Sequence, residues 1–130
     1  MDGLGNSTSI SASAMRAQAE RLRIVSENLA NVDTPGFRRK MTDFVPDISR
    51  SAKPGQIMAR APWLDMSPLE RVYDPAHPMA DGEGYYDGSN VNMIFEIADA
   101  REAQRSYEAN LKMFEQARQM RRDLLDILRR

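Results

Sequence analysis

The sequence contains no cysteine and only one histidine and one tryptophan among 130 residues. It therefore has no disulfide, no thiolate nucleophile and no cysteine-ligated zinc site. It also lacks an apolar run of membrane-spanning length, and its first fifteen residues show neither the basic nor the apolar region of a cleavable signal peptide. The formal net charge of −1 argues against a general polyanion binder. These absences favour one soluble domain without membrane insertion.

Helix-breaking residues are scarce at both ends of the chain. All seven prolines fall in residues 35–78, and every glycine after position 5 falls in residues 36–88. Because proline and glycine interrupt helices, this pattern predicts an N-terminal helix over 6–34 and a C-terminal helix over 89–130. The middle segment, 35–88, is predicted to be irregular with short β-structure, and residues 1–130 form a single unit.

Apolar residues recur at helical spacing in both end segments. The N-terminal series is Met15, Ala19, Leu22, Val25, Leu29 and Val32. The C-terminal series is nearly heptad: Met93, Ile97, Ala100, Tyr107, Leu111, Phe114, Leu125 and Leu128. A second C-terminal stripe contains Ala103, Ala117, Met120, Leu124 and Ile127. These spacings predict a mainly α fold in which two long helices pack as a coiled-coil-like pair.

Such a pair is poorly supplied with a core. A helix of about 38 residues is roughly 57 Å long at 1.5 Å per residue. The middle segment offers few large apolar side chains. Burial of apolar surface stabilises a fold by about 25 cal/mol per Å², and ordering the chain costs about 1.5 kcal/mol per residue. With so little apolar surface to bury, the chain would struggle to be rigid by itself. Packing within the chain is the default role of Leu111, Phe114, Leu124 and Leu128, and a helix of another subunit is the alternative partner.

The stretch NLANVDTPGF places hydrogen-bonding side chains at the end of the first helix. Asn31, Asp33 and Thr34 can satisfy unpaired carbonyls and turn amides there. The helix is predicted to stop at about Asp33, because the residue before a proline avoids the α conformation and Gly36 can adopt a left-handed one. Phe37 then follows as an aromatic available to a neighbour. Ser89 or Asn90 is the predicted N-cap of the second helix.

Catalytic and metal chemistry find little support. Asp74, His77 and Asp81 are the residues that a metal-dependent enzyme would need, but the calcium-loop pattern fails because its obligatory glycine is Tyr86. No P-loop, HExxH, GxSxG or dinucleotide fingerprint is present in the sequence. We expect no enzyme activity, no metal and no cofactor.

Two segments are locally basic. Residues 118–130 and residues 16–40 each have a net charge of +3, which leaves a self-folding helical adaptor or nucleic-acid module as an alternative. The interleaved carboxylates and the absence of stacked aromatics argue against nucleic acid. The same cations could instead meet acidic neighbours in an assembly, because residues 41–90 have a net charge of −4.

The N-terminal run resembles the signature of bacterial flagellar axial proteins of the rod and hook. The matching residues are Asn28, Leu29, Ala30, Asn31, Thr34, Gly36 and Phe37. The C-terminal half resembles a proximal-rod subunit of that family through Tyr73, Pro75, His77, Pro78, Ala80, Asp81, Gly84, Tyr85, Asn90, Val91, Asn92, Glu96 and the run Arg105 to Asn110. The compact VDTPGF link resembles other rod proteins, so a close proximal-rod relative is the alternative.

The resemblance implies a structural subunit of a tubular rod that transmits motor torque toward hook and filament. It implies copies of itself and other rod proteins as partners, on the export-gate side and on the distal-rod side. It also implies a place in the periplasm-spanning rod, reached through the flagellar type III export apparatus without a cleaved signal. The expected assembly contacts are Leu22, Val25, Asn28, Leu29, Asn31, Thr34, Gly36, Phe37, Asn90, Val91, Tyr107, Asn110, Leu111, Phe114, Leu124 and Leu128.

Overall fold

The computed structural model of the chain describes residues 2–130. Two long helices form an antiparallel pair, α1 over Asp2–Ala30 and α2 over Met93–Arg129. Within the described residues, six short strands lie between these helices in the sequence. The prediction of a mainly α fold with two packed terminal helices and a short-β middle is confirmed. No helix of this described range is long and apolar enough to cross a bilayer.

The strands pair as three antiparallel two-stranded ribbons. The pairs are β1 (Lys40–Met41) with β4 (Trp63–Leu64), β2 (Phe44–Pro46) with β3 (Ile57–Ala59), and β5 (Arg71–Tyr73) with β6 (Tyr85–Asp87). The first two pairs are nested, so residues 40–64 make one long interrupted hairpin, which we call the first hairpin. Residues 70–88, which contain β5 and β6, make the second hairpin.

The first hairpin folds back along α1. The Ser13 hydroxyl donates to the Ile10 carbonyl at 2.7 Å and accepts from the Ile57 amide at 3.2 Å. Gly55 has a φ of 92°, and a Cβ at this position would lie 2.8 Å from Cδ1 of Ile10. A side chain at Gly55 is therefore disfavoured by the backbone conformation, and it would also require the Ile10 side chain to shift.

The α2 side of the interface with α1 is made of small and polar side chains, whereas α1 also buries Ile24 and Val25. The buried residues on α1 are Ser11, Ser13, Ala17, Gln18, Ile24, Val25 and Asn28, and those on α2 are Glu96, Ala103 and Ala117. The buried α2 positions and the half-buried Asn110 are seven residues apart. We call Glu96, Ala103, Asn110 and Ala117 the seam of α2. Small seam residues let the two helices approach closely but bury little apolar area.

The apolar helix faces that the sequence predicts are only partly the faces through which α1 and α2 pack together. On α1, Val25 is buried but Ala19 is exposed. On α2, the second stripe supplies Ala103 and Ala117, whereas the first, near-heptad stripe is left mostly open. Helix α1 covers the small side chains of α2 and leaves most of the large ones exposed, so of the two partners left open by the sequence, the chain itself does not cover Leu111, Leu124 and Leu128.

The helix ends also differ from the prediction. Helix α1 begins at Asp2 because Gly3 and Gly5 fit the helix without a positive φ, and it ends at Ala30 rather than near 33. The N-cap of α2 is Asn92, whose side-chain oxygen accepts from the Ile94 and Phe95 amides at 3.0 and 3.3 Å. Ser89 and Asn90 do not cap because their side chains are bonded elsewhere.

Candidate assembly surface

The end of α1 and the start of α2 meet in a hydrogen-bonded region that we call the elbow, residues 28–40 and 88–96. Asn28 lies at its centre and is 1% exposed. Its amide nitrogen donates to the Lys40 carbonyl at 2.9 Å and to a Glu96 oxygen at 3.4 Å, and its oxygen accepts from the Lys40 amide at 2.9 Å. One side chain thus joins α1, β1 and α2.

An ion pair with a buried carboxylate joins the segment before β1 to α2. The Glu96 side chain is completely buried, and its second oxygen accepts from Nε of Arg39. With Asn28 on one oxygen and Arg39 on the other, the carboxylate has the partners that burial of a charge requires. The pair therefore fastens the start of α2 to the chain segment that follows α1.

Asn90 fastens the chain segment before α2 to the middle segment. Its oxygen accepts from the Arg39 amide at 2.6 Å, and its nitrogen donates to the carbonyls of Asp65 and Ser67 at 2.9 and 3.2 Å. The Ser67 hydroxyl and amide hydrogen-bond the Asp65 carboxylate and hold its pKa below the usual value. The carboxylate therefore stays charged 3.9 Å from Arg39.

The turn after α1 uses the polar side chains that the sequence places there. Asn31 donates to the Glu27 carbonyl at 2.8 Å, and the Thr34 hydroxyl donates to the Asn31 oxygen at 3.0 Å. Asp33 is exposed. Gly36 has a φ of 74°, and its amide donates to the carbonyls of residues 87 and 88, both at 3.1 Å. The left-handed glycine therefore turns the chain so that it docks on the second hairpin.

Large apolar side chains remain exposed at both ends of α2. Near the elbow they are Met93, Ile94, Phe95 and Ile97, which are 49, 77, 68 and 40% exposed. Near the C-terminus they are Met120, Leu124, Leu125, Ile127 and Leu128, which are 50, 41, 36, 66 and 72% exposed. These two sets of exposed apolar side chains form the candidate assembly surface.

The structure divides the predicted assembly residues into two groups. The elbow brings together Asn28, Asn31, Thr34, Gly36, Phe37, Asn90 and Val91. Leu22, Val25 and Leu29 lie on α1, where Val25 is buried and the other two are half-buried. Along α2, Asn110 and Phe114 are half-buried, and Tyr107, Leu111, Leu124 and Leu128 are exposed.

Sequence reasoning missed the partners that complete the elbow. The predicted assembly contacts did not include Arg39, Lys40 or Ser89. The Ser89 hydroxyl donates to the Val32 carbonyl. Glu96 entered only as a point of resemblance. Its position between Phe95 and Ile97 was the available signal, because an acidic residue in an apolar helix turn needs a partner if it is buried.

The second hairpin does not assemble the metal ligands considered above. The His77 ring stacks on Tyr86 with centroids 4.0 Å apart, and its Nδ1 accepts from the Met79 amide. Asp81 accepts from Arg71 and from the amides of Glu83 and Tyr85. Across residues 2–130, the structure contains no group of three or more His, Cys, Asp or Glu side chains that could hold a metal ion.

Comparison with known proteins finds matches over the helix pair and the elbow. Residues 9–38 match the family described as "Flagella basal body rod protein", and residues 83–127 match "Flagellar basal body rod FlgEFG protein C-terminal". The two matches cover most of the helix pair and part of the elbow. The fold and the matches together define an axial protein of the bacterial flagellum.

Full-length relatives narrow this class. The chain is 38% identical to the flagellar basal-body rod protein FlgC of Agrobacterium fabrum, with 99% of this chain and 98% of that one aligned. It is 36% identical to FlgC of Buchnera aphidicola over 88% of this chain and 90% of that one, and 31% identical to FlgC of Salmonella typhimurium over 85% and 87%. The chain belongs to the FlgC family of flagellar basal-body rod proteins.

Membership in this family makes the chain a structural subunit of the flagellar basal-body rod. The relatives favour FlgC over its proximal-rod relative FlgB, which was the alternative from the sequence. The family also implies a basal-body location, assembly with other rod proteins and a non-enzymatic role.

Proposed function

We propose that this chain is a proximal-rod subunit whose helix pair is completed by copies of itself and by other rod proteins. The observation that supports the proposal is that α2 packs on α1 through one set of side chains and exposes another. Its seam against α1 consists of Glu96, Ala103, Asn110 and Ala117, whereas its large apolar residues are exposed. A neighbour that covers them gains the burial that the isolated chain lacks. Torque is then transmitted through many subunit contacts, and no residue acts catalytically.

The elbow has a separate role in this proposal. It fixes the angle between the helix pair and the two hairpins through hydrogen bonds that are all internal to the chain. Phe37 is half-buried within the elbow and is proposed to contact the neighbouring subunit. A rigid elbow lets every subunit present the same surface, which a regular rod requires.

Amide hydrogen exchange on the verified monomer tests whether neighbours are needed. We expect slow exchange in α2 near Glu96 and Ala103 and fast exchange in residues 123–129, since the side chains there are all exposed and lie beyond the start of α1. In isolated basal bodies the same C-terminal amides should become protected. Strong protection along all of α2 in the monomer would instead indicate a self-sufficient helical domain.

Export and assembly can be separated with glycine variants. We propose that the chain leaves the cell body through the flagellar type III apparatus, and that Gly36→Val and Asn31→Ala weaken rod assembly more than secretion. Gly82→Val is the matched control for Gly36→Val, because Gly82 has no positive φ and an added Cβ there meets open space. Equal losses of secreted and assembled subunit in the Gly36 variant would contradict the proposed role of the elbow.

A further inference from the structure

Helix α2 continues beyond the end of α1. It has 37 residues against 29 in α1, and the contact between Asn28 and Glu96 sets the antiparallel register. With equal rise in both helices, Asp2 lies opposite a residue at about position 122. Every side chain in 118–130 is exposed. We call this C-terminal segment, 118–130, the tail.

The composition of the seam changes near the start of α1, opposite about position 122. Its covered positions hold Glu, Ala, Asn and Ala, and the next position seven residues on is Leu124, which is 41% exposed. Ile127 and Leu128 follow at 66 and 72% exposure. Small or polar residues thus occupy the part of the seam that α1 covers, and large apolar residues occupy its continuation in the tail. This difference is typical of a surface that packs against a separate partner.

The charges of the tail indicate the chemistry of that partner. The tail has five arginines and two aspartates, a net charge of +3. A partner should therefore combine exposed apolar groups with an excess of carboxylates. The second hairpin has this combination, with five acidic residues and one arginine, a net charge of −4. Its Tyr73, Met79 and Tyr85 are 63, 63 and 37% exposed.

The two surfaces cannot meet within one chain. The second hairpin directly precedes α2, and the tail begins 25 residues after Met93, about 38 Å along this helix at 1.5 Å per residue. A contact between them must join two copies. When the contact repeats in the same sense from copy to copy it is heterologous, as an extended assembly requires, whereas two copies that dock their tails on each other would close as a dimer.

We propose that the tail of one copy docks on the second hairpin of another copy of this chain. The apolar residues of the tail cover Tyr73, Met79 and Tyr85, and its arginines face the surrounding carboxylates. This inference rests on the proposed rod function and adds to it the identity of two surfaces that meet.

Disulfide trapping tests the contact directly, because the chain contains no cysteine of its own. A variant with Arg122→Cys and Glu83→Cys is oxidised in isolated basal bodies. A head-to-tail contact yields a ladder of linked chains beyond the dimer. The matched control combines Arg122→Cys with Ser51→Cys, since Ser51 is exposed on the first hairpin. A ladder from the first pair but not from the control supports the proposal.

The other outcomes overturn it. Equal cross-linking by both pairs, no cross-link, or a cross-link from position 122 to a different rod protein would show that the tail does not dock on the second hairpin of another copy. If the chain without these substitutions is absent from basal bodies, the proposed rod function itself fails. If the chain is present without a ladder, only the head-to-tail contact fails.

A charge exchange tests the same contact without cross-linking. Arg121→Glu with Arg122→Glu should reduce incorporation into basal bodies by about tenfold. Glu70→Arg with Glu83→Arg in the same chain should restore most of it, since both carboxylates are exposed and Asp81 and Asp87 already pair with Arg71. Loss in the first variant without restoration in the combined variant would contradict the pairing of these two surfaces.

Discussion

Replacing Asn28 with alanine should selectively open the elbow. The truncation removes three hydrogen bonds, two to the Lys40 backbone and one to Glu96, from a side chain that is 1% exposed. At about 1 kcal/mol each they amount to about 3 kcal/mol. Alanine recovers about 0.7 kcal/mol through its higher helix propensity. We therefore expect the free energy of unfolding to fall by about 2 kcal/mol.

Urea-induced unfolding followed by far-UV circular dichroism measures this change. Asn110→Ala is the matched control, because Asn110 is also a helical asparagine but donates only to the local Ser106 carbonyl at 2.8 Å. Its unfolding midpoint should move little, since the lost bond and the gained helix propensity nearly cancel. Equal midpoints for the Asn28 and Asn110 variants would refute the reasoning that the elbow is held by Asn28.

Three further predictions concern single interactions. Glu96→Gln should lower the free energy of unfolding by about 3 kcal/mol, because it leaves Arg39 without its buried partner. The double variant that also carries Arg39→Gln should be little less stable than the single variant in urea unfolding. Backbone amides and Arg71 lower the pKa of Asp81 below its ordinary value. The contribution of this carboxylate to stability is therefore present above about pH 4 and lost as the pH falls through the lowered pKa. Asp81→Asn should flatten the dependence of the unfolding free energy on pH between about pH 2 and 5. Asn92→Ala should cost about 1 kcal/mol through loss of the α2 cap, detected as faster exchange of the first-turn amides.

The sequence was sufficient to predict the two helices and the break between them. Proline and glycine placement is a local signal, and it located α1 and α2 to within a few residues at each end. The polar side chains of the turn were also predictable, since Asn31 and Thr34 bond groups only three or four residues away. The strand pairs were predicted only as short β-structure, because strands of two or three residues carry almost no periodicity.

The seam and the elbow could not be predicted in the same way. Hydrophobic spacing identifies the largest apolar face of a helix, but here α1 covers Ala103 and Ala117 and leaves Leu124 and Leu128 exposed. The partner of Glu96 is Arg39, 57 residues earlier, and no local pattern connects them. For a chain whose apolar surface is partly reserved for neighbours, the largest face and the internal face need not coincide.

The spacing of the seam has a consequence for the shape of the helix pair. Glu96, Ala103, Asn110 and Ala117 repeat every seven residues, and a straight α-helix drifts by about 20° per heptad from this repeat. A helix that keeps such a repeat against its partner winds around it with a left hand. The direction of this winding is therefore determined by four small or polar positions, and the large apolar side chains outside the seam have no part in it.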